Sequence, residues 1–417
     1  MSNIAAAIIT IGDELLIGQT IDTNSAWIAQ QLNGLGIDVL RRVAVGDDKA
    51  AIICALDEEL ATAELVLVTG GLGPTADDIT KPLLNQYFGG KMVVNEAVLE
   101  HLKQLFIRRN RPFLERNLKQ AEVPDVCTVL FNKMGTAPGM WFEKDGKVII
   151  AMPGVPFEMM SIMQDEALPR IAQRFISEPM VHNTIITAGE GESFIAEKIK
   201  DIEESLPEHI KLAYLPGAGM VKLRLTGRGG NADALRAAVR QYMSQIADRL
   251  GKIVVAREDI PMEVILGRWL RANNQTLGLA ESCTGGNIAS HITQVVGSSD
   301  YFKGGIVSYA DEVKEHVLGV PAGVLAAHGA VSEEVVLAMA TGGRKVLGAD
   351  VVFAITGLLG PKTDRDQVDV GIIWMAVANK DRAVARKVWY PYDRQRNKDM
   401  ATSMGMLMIW KFLNNEI

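Results

Sequence analysis

Short apolar runs that break into glycine-rich or acidic turns, each followed by an amphipathic helical stretch, recur along this chain. A mostly parallel sheet with helices on both faces is the architecture that accommodates such alternation. Residues 5–10 read as strand, 24–35 as helix, 39–45 as strand, 49–61 as helix and 65–68 as strand. The run 148–152, followed by Pro153-Gly154-Val155-Pro156 and a helical stretch from Phe157 towards Phe175, closes this first unit near residue 175.

Beyond it the order of elements changes. Strand 182–187, helix 193–202, strands 211–214 and 220–226 and helix 234–250 describe a small α+β module, with Pro216-Gly217-Ala218-Gly219 as a hairpin signal. A third unit starts near 256, where Val264, Ile265, Trp269 and Leu270 share a helix face that leads into strand 276–280. Three domains, 1–175, 176–255 and 256–417, suit a chain of 417 residues.

Composition excludes several classes. With 48% apolar and 22% charged residues the chain is neither disordered nor fibrous. No apolar stretch nears the roughly 20 residues that span a bilayer. Met1-Ser2-Asn3-Ile4 carries no basic region ahead of its apolar run, so the sequence predicts a cytoplasmic protein. Three widely spaced cysteines, Cys54, Cys127 and Cys283, fit a reducing compartment and form neither a disulfide framework nor a thiolate zinc cluster. A net charge of -7 argues against nucleic acid as the main partner.

Two constellations carry chemistry. In the first, strand 65–68 ends in Thr69-Gly70-Gly71-Leu72-Gly73-Pro74-Thr75-Ala76-Asp77-Asp78. Gly70, Gly71 and Gly73, with Thr75 beside them, stand where backbone N–H groups approach a phosphate at the carboxyl edge of a parallel sheet. Gly12-Asp13-Glu14-Leu15 and Gly46-Asp47-Asp48 share that placement. Asp13, Glu14, Asp77 and Asp78 are the candidate oxygen ligands of a divalent metal; Asp48 and Asp78 read equally as helix caps. Arg108, Arg109 and Arg111 suit a diphosphate or a solvated basic turn.

In the second, strand 276–280 runs into Glu281-Ser282-Cys283-Thr284-Gly285-Gly286 and a helix, which exposes Ser282 at a sheet edge beside helix N–H donors suited to an oxyanion. Tyr309 falls at the end of a strand, Lys314 about one turn into the next helix, and strand 351–355 ends in Thr356-Gly357. A serine becomes a good nucleophile when a lysine of lowered pKa takes its proton and a tyrosine hydroxyl relays it. Ser282 alone also reads as a helix cap. Cys283, with His291 or His328 as base, is the rival, and an apolar packed thiol is the reading preferred for it. Ser332 before Glu333 and Glu334 reads as an N-cap.

Gly12-Asp13-Glu14-Leu15-Leu16-Ile17-Gly18-Gln19, Asp22-Thr23-Asn24, the Gly70–Asp78 run, Gly135-Thr136-Ala137-Pro138-Gly139 and Pro153-Gly154-Val155-Pro156 resemble the competence/damage-inducible CinA family over nearly the whole chain. The resemblance implies an α/β protein: a molybdopterin-binding-like three-layer α/β/α N-terminal domain, a small KH-like α+β middle module and an α/β C-terminal domain. It implies ADP-ribose pyrophosphatase activity with a divalent metal in the first domain. In the last it implies an amidohydrolase, without cofactor, that converts nicotinamide mononucleotide to nicotinic acid mononucleotide and ammonia. A homodimer is also implied.

Carried over from the family, Ser282 attacks the carboxamide, Lys314 accepts its proton and Tyr309 relays it. Glu281, Thr284, Gly285, Gly286, Thr356 and Gly357 surround the substrate, and Arg394, Arg396 and Lys398 take its phosphate. Two departures stand out. The family's glycine-rich loop after Thr356-Gly357 is here Leu358-Leu359-Gly360-Pro361-Lys362-Thr363-Asp364-Arg365-Asp366, and its Tyr-Ser-Asn is Tyr309-Ala310-Asp311. Both leave the nucleophile and base in place, and both bear on substrate fit. The competing class is a binding protein that holds a nucleotide or pterin without turnover, its deamidase domain degenerate.

Overall fold

The computed structural model describes residues 4–75, 78–175, 178–217, 219–361 and 369–417. Two compact units emerge: Met1–Val181 with Gly227–Arg236, and His182–Thr226 with Ala237–Ile417.

The first unit holds β1 (Ala5–Ile11), β2 (Asp38–Val45), β3 (Leu65–Thr69), β4 (Met92–Val94), β5 (Glu122–Pro124), β6 (Thr128–Leu130), β7 (Gly139–Lys144) and β8 (Lys147–Met152). Six of them form one sheet in the order β2-β1-β3-β8-β7-β6. The strands from β2 to β8 run parallel, and β7 and β6 pair antiparallel at the edge. Every residue of β3 is buried, as a strand covered on both faces requires.

Alternation then sorts the side chains between two cores. Ile8, Leu67 and Ile150 meet Ile28, Leu32, Met159 and Ile162 on one face. Ile9, Val66, Val68 and Ile149 meet Ile52, Leu56, Leu83 and Leu84 on the other. Three layers, α/β/α, result. The helical stretch expected from Phe157 is interrupted: helix Pro156–Ile162 passes through a π turn, Met163–Ala167, into helix Leu168–Arg174. Pro169 explains the break, since it donates no N–H and its ring crowds the carbonyl four residues back.

Strands β9 (Met180–Ala188), β10 (Ile210–Gly217), β11 (Met220–Arg228) and β12 (Val254–Ala256) make a sheet in the order β10-β11-β9-β12. Helix Glu192–Glu204 buries Ile195, Ile199 and Ile202 on one stripe.

The remaining strands, β13 (Leu277–Glu281), β14 (Phe302–Val307), β15 (Val351–Gly357), β16 (Ile372–Ala378) and β17 (Ala383–Trp389), are ordered β14-β13-β15-β16-β17. The first three run parallel and the last two antiparallel. One face packs Leu279, Phe353, Ile355 and Ile373 on Leu266, Ile288, Ile409 and Phe412. The other presents alanines, Ala280, Ala354 and Ala376, to Val335, Val336, Met339 and Ala340, so helix Glu333–Leu347 lies close on that face. Ser332 caps it by accepting from the Val335 N–H. Among the described residues no helix is long and apolar enough to cross a membrane.

Candidate active site

Register alone brings the second constellation together. Glu281 at the end of β13 stands opposite Val307 of β14 and Ile355 of β15, so the residues that follow these three leave the sheet side by side. Two main-chain bonds lock the exits: the Ser282 N–H donates to the Ile355 carbonyl (3.0 Å) and the Ser308 N–H to the Glu281 carbonyl (2.7 Å).

There a cavity of about 240 Å³ opens, lined by Ser282, Cys283, Tyr309, Asp311, Lys314, Thr356, Gly357 and Arg394, with Ala330–Val331 and residues 358–361 completing the wall. Lys314 is 1% exposed, and its Nζ donates to the Tyr309 carbonyl (3.2 Å) and to Asp311 Oδ1 (3.1 Å). A free amine has two N–H donors and one lone pair, so with these two acceptors served the lone pair of Nζ is left to take a proton. The Tyr309 hydroxyl accepts from the Arg394 guanidinium at 3.2 Å. Thr356 donates its hydroxyl to the Ala330 carbonyl (2.8 Å), which fixes that stretch as cavity wall.

The turn after β13 does something other than the sequence suggests. Buried Glu281 folds its carboxylate onto the start of helix Asn287–Gln294: Oε2 accepts from Thr284 Oγ1 (2.7 Å) and from the N–H groups of Gly286 and Ile288 (3.1 Å each), and Oε1 from that of Ala289 (2.8 Å). A carboxylate there meets both the free N–H groups and the helix dipole. The helix donors expected to serve an oxyanion are therefore taken, and none of Glu281, Thr284, Gly285 and Gly286 lines the cavity: the first two are buried and Gly285 is exposed elsewhere. Glu281, not Ser282, is the cap.

Cys283 also lines the cavity, but burial pushes its thiol up to about 12, so at neutral pH it is not a thiolate. The bases considered for it are engaged elsewhere, His291 with Glu263 and His328 with Glu334. Of the basic run only Arg394 reaches the cavity; Arg396 lies over the Tyr392 ring at 4.2 Å, and Lys398 is off the wall. Of the altered loop, only 358–361 lie within the described residues.

Sequence reasoning missed Asn397. It is fully buried; its Nδ2 donates to the carbonyls of Leu359 (3.1 Å) and Tyr392 (2.9 Å), and its Oδ1 accepts from the Tyr392 N–H (3.2 Å). Its one signal was an amide standing among charges at the start of a helix.

The first constellation borders a cavity of about 370 Å³ whose wall includes Gly12, Glu14, Asp47, Gly70, Gly71, Gly73, Asp78, Thr136, Gly154 and Glu158. Gly70 has to be glycine: its φ is +119°, and a Cβ would stand 2.2 Å from the Ile11 carbonyl oxygen. Glu158 is an unforeseen member, held by Asn132 Nδ2 at 2.7 Å.

Glu14 and Asp78 share this wall, but among the described residues the expected metal ligands do not gather into one set. Asp78 accepts from the Gly73 N–H (2.7 Å), the Thr75 N–H (2.9 Å) and the Thr75 hydroxyl, so both its oxygens hold the loop. Asp13 Oδ1 accepts from the Asp47 N–H (3.2 Å) and stands off the wall. Asp77 lies outside the described residues, and among those described no group of three or more potential ligands could hold an ion. These side chains do not fit a preformed metal site. Arg108, Arg109 and Arg111 sit exposed and away from the cavity, with Arg109 donating to the Met134 carbonyl (3.1 Å). Asp48, by contrast, is a cap, accepting from the Ala51 N–H.

Comparison with known proteins places each part. Residues 7–173 match the model of a probable molybdopterin binding domain, 182–256 that of the damage-inducible protein CinA KH domain, and 259–413 that of the CinA C-terminal domain. A CinA-like protein of Cytophaga hutchinsonii is 43% identical over 406 residues, 97% of either chain. One of Flavobacterium psychrophilum is 42% identical, covering 97% of this chain and 98% of its own. Another, of Salinibacter ruber, is 39% identical over 96% and 97%. The architecture is thus an α/β/α layer set of the molybdopterin-binding-like fold, a KH-like module and a CinA C-terminal domain.

Proposed function

The chain belongs to the CinA family, and from that premise we propose that the cavity of its second unit hydrolyses the carboxamide of nicotinamide mononucleotide to nicotinic acid mononucleotide and ammonia. One observation carries the reading: Ser282, Tyr309, Lys314, Thr356 and Arg394 share the wall of a single cavity at the carboxyl ends of three parallel strands.

In this scheme Ser282 Oγ attacks the amide carbon and its proton passes to Lys314 Nζ, with the Tyr309 hydroxyl beside the path. The tetrahedral intermediate collapses, the C–N bond breaks, and the leaving nitrogen takes the proton from Lys314 to depart as ammonia. Water then attacks the Ser282 ester and gives its proton to Lys314; the C–Oγ bond breaks, Lys314 returns that proton to Ser282 Oγ, and the acid leaves. With the helix N–H groups taken by Glu281, the oxyanion falls to the Cys283 N–H, which meets no main-chain acceptor among the described residues and follows the nucleophile directly. Arg394 takes the phosphate, since its guanidinium offers paired donors at the cavity.

For the first unit the reading is a binding cavity for a phosphorylated nucleotide or pterin, supported by the glycines that bring main chain to its wall. The test is direct: full-length protein with nicotinamide mononucleotide should release ammonia and nicotinic acid mononucleotide in equal amounts. Binding without ammonia would favour a degenerate deamidase. Release of adenosine monophosphate from ADP-ribose only with a divalent cation would show that the first unit assembles a metal site on binding.

A further inference from the structure

Two carbonyls in succession define the far wall of the second unit's cavity. The Leu359 carbonyl accepts from Asn397 and the Gly360 carbonyl from Arg394. The two donors differ in what a ligand does to them. Arg394 faces the cavity, so a bound phosphate competes with Gly360 and Tyr309 for its guanidinium. Asn397 is fully buried, at the fourth position of helix Arg394–Leu413, and no ligand reaches it. Its amide is spent entirely on main chain: one N–H on Leu359, the other on the Tyr392 carbonyl, and the oxygen on the Tyr392 N–H. Reversing the amide would set N–H against N–H, so one orientation is fixed. Tyr392 stands two residues before Arg394.

We propose that Asn397 is the positioning residue for the phosphate end of the cavity: it keeps residues 359–361 and the turn that carries Arg394 in register while Arg394 exchanges its Gly360 contact for the ligand. The assignment rests on the deamidase reading. It adds a residue that touches neither substrate nor the reacting atoms, and it predicts where its loss is felt. Ser282 and Lys314 are carried by other elements, after β13 and in helix Asp311–His316. Removing Asn397 therefore weakens recognition of the phosphate and leaves the chemical step intact.

The experiment compares full-length parent, Asn397→Ala and Asn397→Asp for hydrolysis of nicotinamide mononucleotide, with inorganic phosphate as a competitive probe. Aspartate is close to isosteric, yet sets a carboxylate oxygen against two carbonyls. The expected result is a KM raised tenfold or more, about 1.4 kcal/mol, an inhibition constant for phosphate raised by a comparable factor, and kcat close to that of the parent. Thermal melts check folding. If Asn397→Ala does not fold, Asn397→Ser, which keeps one donor, should show the same split in smaller measure. A fall in kcat with KM and phosphate inhibition unchanged, or a uniform loss tracking the folded fraction, overturns the assignment of Asn397 and spares the deamidase reading. A parent that neither binds nor turns over nicotinamide mononucleotide overturns both.

Discussion

Replacing Glu281 tests how the turn that presents Ser282 is built. Its carboxylate accepts from three main-chain N–H groups and the Thr284 hydroxyl, and the residue is 1% exposed. Glu281→Ala leaves those four donors without their acceptor. At about 1 kcal/mol each, the low end for an orphaned buried donor, and roughly 1 more for the lost charge at the helix start, the cost is about 5 kcal/mol. A domain's whole stability is about 5–15 kcal/mol, so the loss is severe. Glu281→Gln keeps one oxygen in the cluster and turns its NH2 towards a donor, which costs about 2 kcal/mol.

Urea unfolding followed by tryptophan fluorescence reads this well, because Trp269, Trp374, Trp389 and Trp410, four of the six tryptophans, belong to the second unit. With a slope of about 2 kcal/mol/M, the alanine variant should lose about 2.5 M in midpoint and the glutamine variant about 1 M. A loss below about 0.5 M for alanine, or a glutamine variant less stable than the alanine one, would refute the argument.

Two further tests read packing and titration. Alanine normally favours a helix interior over glycine by about 1 kcal/mol, yet a Cβ at Gly342 would stand 1.6 Å from the Leu318 carbonyl oxygen, so Gly342→Ala should destabilise the second unit in calorimetry. Gly323, with nothing within 4 Å of its Cβ position, is the control and should gain stability; the opposite ranking would show the close approach to be wrong. Burial holds the thiols of Cys283 and Cys127 up at about 12 and about 11, so both stay protonated and unreactive until the pH approaches those values. Exposed Cys54, held up by a hydrogen bond to Glu58, should still be alkylated first at pH 8 by peptide mapping; early labelling of Cys283 would contradict its burial.

What the sequence made legible was local. Apolar runs and their glycine stops located β3 and β13 to within a residue or so, since a strand buried on both faces must be apolar throughout and must end where the chain turns. Ser282, Tyr309, Lys314 and Thr356 were visible because they follow such stops, and register then brings them together. The antiparallel additions, β6 and β7 in one sheet and β16 and β17 in the other, were not read, although β7–β8 and β16–β17 are hairpins and the first turns at Asp145-Gly146, a local signal. Hydrogen-bond allegiance was equally hidden. Glu281 and Asp78 looked ready to meet ligands, yet each carboxylate is turned inward on its own loop. Asn397 carries no motif at all; only the closure of the cavity shows what its amide holds.

The central claim is that a serine, not the cysteine beside it, attacks the amide. Ammonia release from nicotinamide mononucleotide should be measured on folded Ser282→Ala, Lys314→Met, their double variant and Cys283→Ala. Residues that act as one unit are non-additive, so the first two should each lose about three orders of magnitude or more, as removal of a nucleophile or its base does, with the double variant no worse. Cys283→Ala removes a packed thiol only and should stay close to the parent. An inactive Cys283→Ala beside a Ser282→Ala that turns over normally would contradict the account.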